Sequence, residues 1–218
     1  MPRHELIRQL ARRIAAIEHP HPVRVAIDGV DAAGKTTLAD ELVGPLQEHG
    51  RPVIRASIDG FHHLRAIRYA RGESGDAYFR DSFDRSALID LLLRPLGANG
   101  DRRYRRAIFD YRTDSAVDGP LEEAPPDAVL LFDGVFLLVE DLRPYWDFSI
   151  FVRASFETTV ARAEVRDQQL FGDASQVRQR YEQRYVPGQR LYLSDAQPEG
   201  HATVIVDNDD PDEAIPAT

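Results

Sequence analysis
The chain has 218 residues, 43% of them hydrophobic, a length that suits one buried core and is short for two full domains. It contains no cysteine, which excludes disulfides, thiol catalysis and cysteine-built zinc sites, and its net charge of −9 argues against broad nucleic-acid binding. No apolar run approaches the ~20 residues of a membrane span and no signal-peptide apolar stretch opens the chain, so a soluble, cytoplasmic protein with one domain over residues 1–218 is expected.

Leu6, Ile7, Leu10, Ile14 and Ile17 recur at helical spacing and predict an amphipathic helix over 2–18. His19-Pro20-His21-Pro22 ends it; alternating prolines make this joint a stiff linker in preference to a metal site. Residues 23–28 read as a short strand, and 36–49 as a helix through Leu38, Leu42, Val43 and Leu46. Between them lies Gly29-Val30-Asp31-Ala32-Ala33-Gly34-Lys35-Thr36, a complete G-x-x-x-x-G-K-[ST] phosphate loop in its strand-to-helix context. Lys35 is the only lysine in the chain, which otherwise uses arginine for positive charge. A compact ammonium reaches between phosphates where a planar guanidinium does not.

A turn at Gly50-Arg51-Pro52 leads into a second strand, 53–58, which delivers Asp59-Gly60-Phe61-His62-His63 to the end of the sheet where ligands bind. Residues 64–80 lack periodicity and read as a loop covering the site. Asp81 or Ser82 is expected to cap a helix running through Leu88, Ile89, Leu92 and Leu93 to Pro95. After a glycine turn at 97–100, the alternation over 102–117 predicts a β-hairpin insertion, with Arg102-Arg103-Tyr104-Arg105-Arg106 as its solvated face. Residues 122–126 read as a linker, and 128–132 as a buried parallel strand closing at Asp133-Gly134. A further buried strand, 148–152, precedes a helix from about Ser155 that places Arg162 and Arg166 one turn apart on one face. A second helical segment, 174–194, carries Arg178, Arg180, Arg184 and Arg190; 202–206 is a last strand, and 207–218 an acidic surface tail. This order predicts an α/β, three-layer phosphate-loop fold of the nucleotide-kinase type, a parallel sheet with helices on both faces.

Phosphoryl transfer needs a phosphate cradle, a carboxylate-supported Mg²⁺, cations to neutralise moving charge and a group that orients the nucleophile. The cradle, and hence the candidate nucleotide contacts, comprises Gly29, Asp31, Ala32, Ala33, Gly34, Lys35, Thr36 and Thr37, with the Thr36 hydroxyl on the metal. Asp59 and Asp133 end separate strands expected to flank the loop strand. One carboxylate would serve Mg²⁺ and the other accept the acceptor's hydroxyl proton; Asp59 is assigned as base and Asp133 to the metal, with the reverse, Asp59 on the metal, left open. Lys35, Arg162 and Arg166 supply the cations, the two arginines as a lid over about 162–190.

With these residues placed, residues 23–211 resemble the uridine kinase and phosphoribulokinase-like family of phosphate-loop kinases. Beyond the loop, Ser57-Ile58-Asp59-Gly60-Phe61-His62 is similar to that family's D-x-F-Y segment, Tyr78-Phe79-Arg80-Asp81-Ser82-Phe83-Asp84 to its H-P-D-A-F-D segment, Leu131-Phe132-Asp133-Gly134-Val135 to F-E-G-I, and Arg162-Ala163-Glu164-Val165-Arg166-Asp167 to the lid's R-R-x-x-R-D. The resemblance implies a five-stranded parallel sheet, ATP or GTP with Mg²⁺, Asp59 as base, Thr36 and Asp133 on the metal, Asp81 on the acceptor's ribose hydroxyls, Arg162 and Arg166 in the lid, and a hairpin insertion at about 101–117 over the acceptor. The implied reaction is transfer to a small-molecule hydroxyl, that of a nucleoside first. Specificity positions depart from the family: Phe109 and Asp114 stand where uridine kinases carry a base-reading tyrosine and a histidine, and His62 replaces the tyrosine of the D-x-F-Y segment.

Rival readings are a thymidylate-type monophosphate kinase, a pantothenate or sugar kinase, and a regulatory ATPase. Asp101-Arg102-Arg103-Tyr104 resembles the first group's D-R-Y signal but follows a glycine turn in place of a buried strand. Guanine recognition by N-K-x-D needs a second lysine, which is absent. Self-association is left open by the sequence.

Overall fold
A computed structural model describes residues 2–210 and the backbone of 215–217. Five parallel strands form the sheet: β1 (Val23–Gly29), β2 (Val53–Ser57), β3 (Val129–Gly134), β4 (Phe148–Arg153) and β5 (Val204–Asp207), ordered β2-β3-β1-β4-β5. A sixth, β6 (Ile215–Ala217), adds antiparallel to β5 at the edge. Every residue of β1 and β3 is buried, as strands covered on both faces must be.

Side-chain alternation sends the sheet into two cores. On one face Val25, Ile27, Leu131 and Ile150 pack against α1 (Arg3–Ala15) and α2 (Lys35–Glu48). On the other, Ala26, Leu130, Phe132 and Phe151 pack against α3 (Gly75–Asp81), α4 (Arg85–Leu88) with the π turn Ile89–Leu93, and α7 (Val186–Ala196). A third, small cluster joins Ala32 of the phosphate loop to α5 (Phe156–Arg166), α6 (Ala174–Arg180) and Tyr181.

α6 runs into α7 through the π turn Tyr181–Tyr185. Pro187 follows it and has no N–H for the α ladder, a sufficient cause for the widened turn. α3 and α7 cross where backbone meets backbone: a Cβ on Gly75 would lie 2.6 Å from Gly188 N, and one on Gly188 2.6 Å from Gly75 O. Only glycine permits that approach.

Several expectations need correction. Residues 64–80 are not an irregular loop; they contain the helical turn Arg65–Arg68 and most of α3, which Ser74 caps by accepting from Ala77 N. Asp81 is the last residue of α3, and Asp84, neither Asp81 nor Ser82, caps the next helix through Ala87 N. The insertion over 102–117 is two short ribbons: Phe109–Asp110 pairs with Ser115–Ala116, while Arg103–Tyr104 pairs with Glu122–Glu123, so residues 122–123 are strand and not linker. β3, not β2, flanks β1, so Asp59 lies one strand farther out than Asp133. Of the expected surface tail, Asp207 ends β5, Asn208 is buried and 215–217 join the sheet; 211–214 and 218 lie outside the described residues.

Candidate active site
β1 ends at Gly29, where a Cβ would stand 2.4 Å from the Val152 carbonyl of β4. The loop that follows turns through two left-handed residues, Ala32 (φ 58°) and Gly34 (φ 97°), before α2 begins at Lys35. Such turns expose successive N–H groups on one side, beside the positive end of a helix, which is an anion cradle. Lys35 is buried and its Nζ donates to the Val30 carbonyl at 2.7 Å. Burial pushes its pKa down, opposed by the charges of Asp31, Asp28 and Asp133.

The Thr36 hydroxyl donates to Asp133 Oδ2 at 2.6 Å. Asp133, 3% exposed, also accepts at Oδ1 from Arg55 of β2 at 3.0 Å. Two hard oxygen donors in contact fit Mg²⁺, which takes one or two protein oxygens and fills its remaining positions from phosphate and water. No cluster of three or more histidine or acidic side chains suited to a metal occurs among the described residues, as such a site requires none.

Asp59 lies on the 3₁₀ turn Ile58–Phe61 beyond β2, with its side chain 54% exposed. His62 Nε2 is 3.5 Å from its Oδ1. His62 Nδ1 lies 3.1 Å from the Ser82 carbonyl, and because a carbonyl only accepts, Nδ1 carries the proton. The ring is held against Phe83 and, edge-on, Phe109. Desolvation would raise the Asp59 carboxyl, but His62, which donates from Nε2 and carries charge when both ring nitrogens are protonated, with Lys35 and Arg166 beyond, holds it below the ordinary value.

Lys35, Thr36, Asp59, His62, Asp133 and Arg166 line one cavity of about 560 Å³. Several aromatic residues, among them Tyr78, Phe83, Tyr111, Tyr181 and Tyr185, share its wall with polar and aliphatic ones. Asp31 faces it from within the loop, and its Oδ2 accepts from Tyr78 of α3 at 2.6 Å and from Gln189 Nε2 of α7 at 2.5 Å. A second opening, about 680 Å³, flanks the loop between α2 and α5 and includes Thr37, Arg162, Arg166 and Asn208. Arg166 therefore faces both. It also pairs with Asp167, which raises its pKa, and donates to the Tyr181 hydroxyl at 3.2 Å. Arg162 Nη2 holds the carbonyls of Asn208 and Asp209 at 2.8 and 3.1 Å.

Beneath the loop, Asp28 is fully buried, accepting from Gly29 N at 2.8 Å and from the Tyr192 hydroxyl. Burial pushes its pKa up to about 6, against the pull of those donors and Lys35.

Other expected residues lie elsewhere. Asp81 pairs with Arg71 at 2.7 Å, Asp114 with Arg68, and neither is on the cavity wall. Phe109 is buried behind His62 and makes no part of the wall. Arg178 pairs with Glu164, Arg180 donates to Tyr69, Arg184 is buried over the Tyr69 ring and Arg190 lies over Phe156, so none joins this wall. The D-R-Y-like segment is structural: Asp101 accepts from Arg103 N, and Arg102 pairs with Glu123. Sequence reasoning missed Tyr78, Tyr111, Arg112, Tyr181 and Gln189. The signal for Tyr111 and Arg112 was their place between Phe109 and Asp114, in the insertion that the family resemblance sets over the acceptor.

No family model matches the chain. A uridine kinase of Ureaplasma urealyticum serovar 10 is 24% identical over 67% of this chain and 69% of its own. The solved structure of a possible uridine kinase from Bacillus stearothermophilus superposes with a TM-score of 0.73 at 25% identity, covering 92% of this chain and 97% of that one. A protein from Silicibacter sp. TM1040, assigned provisionally as a fructose transport system kinase, gives the same TM-score and identity over 90% and 96%.

Proposed function
We propose that this member of the uridine kinase-like phosphate-loop kinases transfers the γ-phosphoryl group of a nucleoside triphosphate, ATP or GTP, to a hydroxyl of a small molecule, with a nucleoside as the first candidate acceptor. The observation that carries the reading is a single cavity shared by the phosphate cradle, the Thr36–Asp133 oxygen pair and the Asp59 carboxylate. Cradle and base facing one space is what in-line transfer requires and what simple nucleotide storage does not.

Lys35 leaves the Val30 carbonyl for a phosphate oxygen, an exchange its single hydrogen bond permits. Thr36 and Asp133 are the residues to hold Mg²⁺, which when bound neutralises charge on the transferring group. Asp59, kept ionised, orients the acceptor hydroxyl and takes its proton as the oxygen attacks phosphorus. Arg166 offsets charge from the lid.

The similarity to the Silicibacter protein supports a second reading in which the acceptor is a sugar. Placement of Phe109 and Asp114 off the cavity wall favours it too, since both stand where uridine kinases read the base. The test is ADP release from Mg·ATP across nucleosides, nucleoside monophosphates, pantothenate and simple sugars, with acceptor-free controls. Stimulation by nucleosides alone supports the first reading and by sugars alone the second; a monophosphate-dependent rate would contradict both.

A further inference from the structure
We propose that Asn208 is a positioning residue that holds the phosphate loop in its anion-binding conformation, an inference that rests on the phosphotransferase reading above. Asn208 follows β5 and is 4% exposed. Its backbone is fixed twice: the N–H donates to the Arg153 carbonyl at 2.8 Å, and the carbonyl accepts from Arg162 at 2.8 Å. From that anchorage the side chain reaches the loop, donating from Nδ2 to the Ala33 carbonyl at 2.7 Å. Its Oδ1 accepts from Arg3 Nη1 at 2.9 Å.

A loop that turns its N–H groups toward an anion must turn carbonyls away from it, and each buried carbonyl needs a donor. The structure gives two of these carbonyls side-chain donors, and the two donors differ. Val30 is served by Lys35, which the proposed reaction recruits to phosphate, and keeps the Ala33 N–H at 3.2 Å when the lysine leaves, whereas the side-chain donor to Ala33 is the anchored amide of Asn208. The contact is also steric: a Cβ on Gly34 would lie 2.4 Å from Asn208 Nδ2, so the amide fills the space against the left-handed residue that closes the loop. Arg3 sets the orientation of the amide, because a guanidinium only donates and therefore holds Oδ1, leaving Nδ2 for the loop. Arg3 in turn pairs with Glu41 of α2 at 2.8 Å. Thus α1, α2 and the end of β5 converge on one loop carbonyl.

The chemistry requires an amide. Aspartate keeps Arg3 satisfied but sets an acceptor against the Ala33 carbonyl, and alanine leaves both Ala33 and Arg3 without this partner. The test measures binding of a fluorescent ATP analogue and the KM values for ATP and acceptor in wild type, Asn208→Asp, Asn208→Ala and Arg3→Met, with circular dichroism and thermal midpoints. The two Asn208 variants are expected to weaken nucleotide binding about tenfold, the worth of one buried hydrogen bond, with acceptor KM unchanged. Arg3→Met leaves the amide in place but unaligned, and a smaller weakening of about threefold is expected. It keeps the test open if an Asn208 variant does not fold. Unchanged nucleotide affinity in folded Asn208 variants, or a lowered thermal midpoint with unchanged affinity, would overturn the inference and leave the kinase reading intact. Failure of the wild type to bind nucleotide would instead remove both.

Discussion

Asp59 and Asp133 are both carboxylates at strand ends, yet their surroundings give them different work. Asp133 is buried and engaged on both oxygens by Thr36 and Arg55, which suits a fixed ligand; Asp59 is half exposed to the cavity, with His62 beside it. Asp59→Asn is therefore expected to lower kcat by about 10² to 10⁴, the usual worth of a general base, with the KM for ATP unchanged, in steady-state kinetics. Loss of ATP affinity in parallel would move Asp59 to the metal. Asp28 makes a separate prediction. Its folded pKa of about 6 stands above the ordinary 3.8, so the native state holds the extra proton between those values, and stability falls as pH rises through that window. At about 1.4 kcal/mol per pH unit the loss is about 3 kcal/mol. In urea unfolding from pH 4 to pH 7, Asp28→Asn should gain on the wild type; a difference constant with pH would contradict the burial argument.

At the scale of elements, legibility followed periodicity. β1, β3 and β4 were readable because strands buried on both faces are continuous apolar runs, and the phosphate loop because its glycine and lysine spacing is dictated by backbone geometry. α3 was not readable: seven residues, Gly75–Asp81, hold too few turns for a pattern, and its position is fixed by the Gly75–Gly188 contact, 113 places away in the chain. Asp81, the last residue of this helix, pairs with Arg71 at 2.7 Å. Gly188→Ala is expected to destabilise the fold by about 1–3 kcal/mol, because the added methyl meets backbone and cannot be accommodated by a rotamer change. Chemical denaturation measures this, and a loss below 0.5 kcal/mol, on the order of an ordinary surface substitution, would mean the helices can part freely.

For the whole molecule, the sheet order β2-β3-β1-β4-β5 carries the phosphate loop at its centre, Asp133 on the next strand and Asp59 beyond the strand after that, while α5 to α7 cover the loop from the other end. The placing of the loop, Asp59 and Asp133 at strand ends was largely legible from the motifs. The aromatic part of the cavity wall was not, because Tyr78, Tyr111 and Tyr181 come from three distant segments with no shared spacing. No helix among the described residues is long and apolar enough to cross a membrane. The central claim is transfer through the loop lysine, and the most direct measurement follows ³²P from γ-labelled ATP in wild type and Lys35→Ala with the acceptor panel present. The account predicts label in an organic phosphomonoester, with the rate reduced at least about 10²-fold in the variant while its fold is retained. Label appearing only as inorganic phosphate at a rate indifferent to every acceptor, or undiminished transfer by Lys35→Ala, would contradict it.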